Sequence, residues 1–79
     1  MSEQAQELTY GQKAVGVRFN PSGKNEVDEI KDAYASLIDQ LNNLRNSTDN
    51  SEKKRQYSVA ITEAQTSQMW AVKAVTWQY

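Results

Sequence analysis

Cysteine and histidine are absent from this 79-residue chain, proline and phenylalanine each occur once, and glycine occurs three times. Without a thiol or an imidazole there is no disulfide, no zinc finger and no Cys- or Ser-His nucleophile system. No side chain has an ordinary pKa near neutrality. A catalyst made from this sequence would have to use carboxylates, lysine, tyrosine or hydroxyls, and nothing sets a nucleophile against a base. Asp28 and Asp32 share a helix face, but four-residue spacing is too common in helices to signal acid–base chemistry. No catalytic residue, cofactor or metal site is therefore expected. An excess of charge of one sign is also missing, with 9 basic and 10 acidic residues and a net charge of −1. That balance argues against wrapping long nucleic acid, though not against a small anionic ligand. No run approaches the roughly 18 apolar residues of a membrane span, and Met1 to Tyr10 has no basic stretch followed by an apolar one. The chain reads as soluble and intracellular.

So short a domain buries only about 60 % of its unfolded surface. With disulfides and metals excluded, self-association is the remaining way to enlarge the core. The few turn formers divide the chain. Gly16, Pro21 and Gly23 mark one break, and Asn46 through Ser51 mark a second. Between them Val27, Ile30, Tyr34, Leu37, Ile38, Leu41 and Leu44 follow the three-and-four spacing of one helix face. Asn25 is the expected N-cap, with Glu26, Asp28 and Glu29 in the first turn and Arg45 near the end. From Ser51 to Gln78 there is neither Gly nor Pro, and Tyr57, Ala60, Ile61, Ala64, Ala71, Ala74 and Val75 form a stripe. Met69, Trp70, Val72 and Trp77 widen that stripe beyond what one neighbouring helix would cover. Ser51 or Asp49 is its expected cap. A shorter helix, capped by Thr9, is expected near the N-terminus, contributing Leu8, Val15, Val17 and Phe19 to the core. The expected fold is all-α, a single helical-hairpin domain over 1–79: a short helix at about 9–19, helix two at about 25–46 and helix three at about 51–78, assembling as a compact homo-oligomer.

Charge is uneven along the chain. From Leu8 through Asn25 there is no Asp or Glu, yet Lys13, Arg18 and Lys24 lie there. Asn20-Pro21-Ser22-Gly23-Lys24 leads into the start of helix two, where free N–H groups and the dipole favour phosphate. The order of residues is not a Walker motif, because Arg18 and Asn25 stand where glycine and Ser/Thr are required. A polar loop with solvated lysines is the ordinary reading of this segment, and the acids Glu26, Asp28 and Glu29 already complement the dipole. Tyr10, among Gln12, Lys13 and Arg18, can stack on a nucleobase or simply pack half-buried. Phe19 reads as a hydrophobic anchor. Lys53-Lys54-Arg55 lies at the wrong helix end for dipole compensation and is either a solvated face or an anion site.

The phrases Ala14-Val15-Gly16-Val17-Arg18-Phe19-Asn20-Pro21-Ser22-Gly23, Ala60-Ile61-Thr62-Glu63-Ala64-Gln65 and Gln68-Met69-Trp70-Ala71-Val72-Lys73-Ala74 resemble the hairpin domain of tailed-phage immune-evasion proteins. The resemblance is to the second type of anti-CBASS protein, whose hairpin is shared with anti-Thoeris sponges, and it runs from about Thr9 to Trp77. It implies a helical homo-hexamer in the host bacterial cytoplasm that binds cyclic dinucleotides such as 3′,3′-cyclic GMP-AMP without cleaving them, and so denies the signal to CBASS effectors. By this resemblance Tyr10 stacks on a base and Lys24, or Lys13 in its place, meets phosphate, with Arg18, Asn20, Ser22 and Gly23 lining the same loop. The resemblance also implies a cyclic trinucleotide pocket using an arginine of the last helix. Here the middle of that helix has Glu63 instead, which leaves Arg55 as a weak substitute. The alternative reading is a structural oligomerisation or protein-docking module that uses the Trp70 and Trp77 face.

Overall fold

The computed structural model describes residues 7–79, which form three helices: α1 (Tyr10–Val15), α2 (Asn25–Ser47) and α3 (Ser51–Thr76). The described residues contain no strand, so the fold is all-α. α2 and α3 form the expected antiparallel hairpin. Three side-chain links fix its register: Arg45 Nη1 donates to Ser58 Oγ at 3.0 Å, Tyr34 Oη and Ser67 Oγ share a 2.5 Å hydrogen bond, and Lys24 Nζ lies 3.4 Å from the Val75 carbonyl. α1 runs antiparallel along α2 and barely touches α3. The molecule is a slab, 44 × 42 × 12 Å.

Local chemistry accounts for the ends of these helices. Thr9 and Gln12 form a capping box at the start of α1, each side chain accepting from the other's backbone N–H. α1 stops at Val15, short of the expected residue 19, because Gly16 is left-handed (φ 64°) and turns its N–H back to the Gln12 and Lys13 carbonyls. At α2 the cap position falls to Lys24 rather than Asn25, and no side chain caps it. At α3 the cap is Asn50, not Ser51 or Asp49; its side chain accepts from Lys53 N–H at 2.9 Å.

The core is narrow. Val15, Ala35, Ile38, Ile61 and Ala64 form one buried cluster, with Ala14, Val17, Tyr34 and Leu41 packed around it. On α2 the buried row is Val27, Lys31, Ala35 and Ile38, so Leu37 and Leu44 of the expected stripe face outward. On α3 the buried row is Ile61, Ala64 and Gln68, and Met69, Trp70 and Trp77 are exposed. The α2 row lies where α1 covers it, and α1 reaches it through Gly11. A Cβ on Gly11 would sit 2.1 Å from the Ala35 carbonyl oxygen and 2.9 Å from Asp39 Oδ1. The Gly11 N–H donates to Asp39 Oδ1 at 2.7 Å. Gly16 differs, since a Cβ there meets nothing within 4 Å and only its positive φ opposes a side chain.

These contacts rank the glycines. Gly11→Ala forces α1 off α2 and lowers stability by about 3 kcal/mol or more, at the upper end of overpacking costs. Gly16→Ala costs about 1–2 kcal/mol, the strain of a left-handed Ala. Chemical denaturation of both variants beside the wild type checks the order.

Candidate functional site

Apart from Lys13 and Arg55, the candidate ligand-binding residues lie in two groups, one in the segment that leads from α1 into α2 and one at the start of α1. The first is the turn into α2. Asn20 organises it: its Oδ1 accepts from Ser22 Oγ at 2.6 Å and from Gly23 N–H at 3.2 Å, and its Nδ2 donates to the Lys24 carbonyl at 2.9 Å and to Asp28 Oδ1 at 3.0 Å. Ser22 Oγ in turn accepts from Lys24 N–H at 3.1 Å. Gly23 has φ 71° with open space around it, so the turn needs glycine for conformation rather than for a close neighbour. Lys24 is exposed, its ammonium turned toward the carbonyl end of α3, where the helix dipole favours a cation.

Behind this turn lies a cavity of ≈ 280 Å³ between Phe19–Ser22, Val27 and Lys31 of α2, and Val72 and Thr76 of α3. Lys31, only 6 % exposed, was not singled out in the sequence. Its ammonium donates to the Gly16 carbonyl at 3.0 Å and to the Phe19 carbonyl, and lies 5.5 Å from the centre of the Phe19 ring. Phe19 itself is 70 % exposed, so it is not the expected hydrophobic anchor. Its carbonyl and ring instead cover a buried cation, and the segment after α1 is thereby tied to α2. The available signal was the spacing Val27, Lys31, Ala35, which puts a lysine in an apolar row, where its stem packs and its head seeks oxygen.

The second group surrounds Tyr10. Tyr10 is 45 % exposed as a residue, and the Arg45 guanidinium carbon lies 5.5 Å from its ring centre. Lys13 is exposed on α1 between the two groups, and Arg18 is exposed in the turn after α1, two residues before Asn20, and so belongs with the first group. Tyr10 adjoins Gly11, which is bonded to Asp39, and Asp39 stands fifteen residues along α2 from Lys24. That is about 22 Å of helix, so one copy of the chain does not bring Tyr10 and Lys24 together. Arg55 belongs to neither group. It sits in the second turn of α3 and makes a two-point bond to Glu52, at 2.9 and 2.7 Å. That bond holds the Glu52 carboxyl below its ordinary pKa, with Gln56 adding to the effect, and raises Arg55. The pair persists above the carboxylate range and is lost as pH falls through the lowered Glu52 value.

A family model for the Acb2/Tad1 hairpin domain matches residues 12–76. The chain belongs to the Acb2/Tad1 hairpin-domain family. The match takes in the Asn20 turn and both helices of the hairpin, and membership fits a cyclic-nucleotide sponge role in general. Comparison with curated proteins and with solved structures gives no match. Among the described residues no helix is long and apolar enough to cross a membrane, and no cluster of three or more acidic side chains could hold a metal ion.

Lys31→Met keeps the packing stem but removes the donor to the Phe19 carbonyl and one of the two donors to the Gly16 carbonyl, which keeps the Phe19 N–H. It lowers stability by about 2–3 kcal/mol, in line with hydrogen bonds to a charged group. Amides of 16–24 then exchange faster than those of α3, as hydrogen–deuterium exchange would show.

Proposed function

We propose that the chain is a phage immune-evasion protein that binds and sequesters cyclic dinucleotides such as 3′,3′-cyclic GMP-AMP without cleaving them, acting in the host bacterial cytoplasm to starve CBASS effectors. Family membership over residues 12–76 carries this reading. The local chemistry supports it, because the stretch from Leu8 through Asn25 has cations and no acid, so an anion meets no carboxylate of that stretch. In this reading Tyr10 stacks on a base and Lys24, with Lys13 as the alternative, meets phosphate at the turn formed by Asn20, Ser22 and Gly23, beside Arg18.

Because Tyr10 lies beside the middle of α2 and Lys24 at its start, the site is completed between copies of the chain in a homo-oligomer, a hexamer by family likeness. A symmetric interface suits a ligand with near two-fold symmetry. The small core and the exposed Met69, Trp70 and Trp77 supply a reason to associate. Cyclic trinucleotide binding has less support, since Arg55 is already engaged by Glu52. A second reading, a structural or protein-docking module, rests on the groove of ≈ 390 Å³ lined by Trp70, Lys73, Ala74 and Trp77.

Isothermal titration with 3′,3′-cyclic GMP-AMP, followed by chromatography of the denatured mixture, tests sequestration. The expected result is sub-micromolar binding, more than about 8 kcal/mol, at about one ligand per two chains, with the ligand recovered intact. Linearised product would replace the sponge with an enzyme, and absence of binding would favour the docking module. Tyr10→Ala and Lys24→Ala each weaken binding at least about tenfold, within the range for a lost stacking or phosphate contact, and leave the oligomer intact by light scattering.

A further inference from the structure

Tyr10 is held more firmly than an exposed residue at the start of a six-residue helix needs to be. Its neighbour Gly11 is bonded to Asp39, which fixes the backbone, and Arg45 lies against the ring. The guanidinium itself is pinned. One terminal nitrogen donates to Asn42 Oδ1 at 2.7 Å and the other to Ser58 Oγ at 3.0 Å, across the α2–α3 seam. A side chain so engaged does not swing out to meet phosphate. It stays against the phenol ring, and Tyr10 as a residue is exposed to solvent.

A cation against one face of an aromatic ring draws electron density toward itself. The opposite face then stacks better on an electron-rich, extended ring than on a small, electron-poor one. We infer that Arg45 is a positioning residue for Tyr10, holding the phenol ready for stacking and biasing the site toward purine over pyrimidine bases. This rests on the reading of Tyr10 as the stacking residue. Arginine is suited to the task because its planar fork bonds two helices and still lies against a ring, which lysine does not do.

The test compares cyclic di-GMP with cyclic di-UMP by titration calorimetry on the intact oligomer. The wild type is expected to prefer the purine ligand by about tenfold or more, and Arg45→Gln to reduce that preference at least about fivefold, the scale of a desolvated cation–π contact. The ratio is read on folded protein, so a loss of stability alone does not move it. Asn42→Ala, which unpins the guanidinium without removing it, shifts the ratio in the same direction by less and stands in if Arg45→Gln fails to fold. Tyr10→Leu lowers affinity, and adding Arg45→Gln to it changes the ratio no further. If Tyr10→Leu weakens binding but both other variants keep the wild-type ratio, the role of Arg45 is overturned and the sponge reading stands. If Tyr10→Leu binds as the wild type does, the stacking assignment falls and the inference with it.

Discussion

α1 can lie along α2 only because residue 11 has no side chain. The two backbones meet where a Cβ would overlap the Ala35 carbonyl, and the Gly11 N–H is satisfied there by Asp39. Much else depends on that contact. It buries Val15 against Ile38 and Ile61, sets Tyr10 beside Arg45, and brings the carbonyls that end α1 within reach of the Lys31 ammonium. Lys31 then ties the following segment down, so that the Asn20 turn enters α2 in one conformation. A short helix of low intrinsic stability is thus anchored to α2 by one missing methyl group and one buried cation.

The apolar periodicity from Val27 to Leu44 and the Gly- and Pro-free stretch after Ser51 made the helical hairpin legible from the sequence. Which residues of each stripe are buried was less legible. Periodicity marks an apolar face without saying where a third helix will cover it, so Lys31 and Gln68 occupy the buried rows while Leu37, Leu44 and Trp70 look outward. The Thr9 cap is legible in the sequence, whereas around Asn50 several polar residues compete for the cap position and the sequence alone points to Ser51 or Asp49 instead. The Asn20–Lys24 turn was legible as a unit because Asn, Pro, Ser and Gly each have a distinct turn chemistry. Arg45 behind Tyr10 was not, since their approach depends on the α1–α2 crossing and on no local pattern.

The two clusters differ in kind. The turn is held together by the Asn20 side chain, which also bonds the Asp28 carboxylate, with Lys24 at its rim. Tyr10 is a ring backed by a cation, suited to a base. One copy holds them apart by much of the length of α2, so the proposed reading needs a second copy for both to meet one ligand. The thin core and the exposed indoles point the same way, because a slab one helix layer thick gains most of its remaining burial from neighbours.

If each ligand is held by Tyr10 of one copy and Lys24 of another, oligomers mixed from two variants reveal it. Chains carrying Tyr10→Ala and chains carrying Lys24→Ala are each weak binders alone. Co-folded into mixed oligomers, they are predicted to regain a fraction of tight sites for 3′,3′-cyclic GMP-AMP, because some interfaces then pair an intact Tyr10 with an intact Lys24. Mixed oligomers that bind no better than either variant alone would contradict the account.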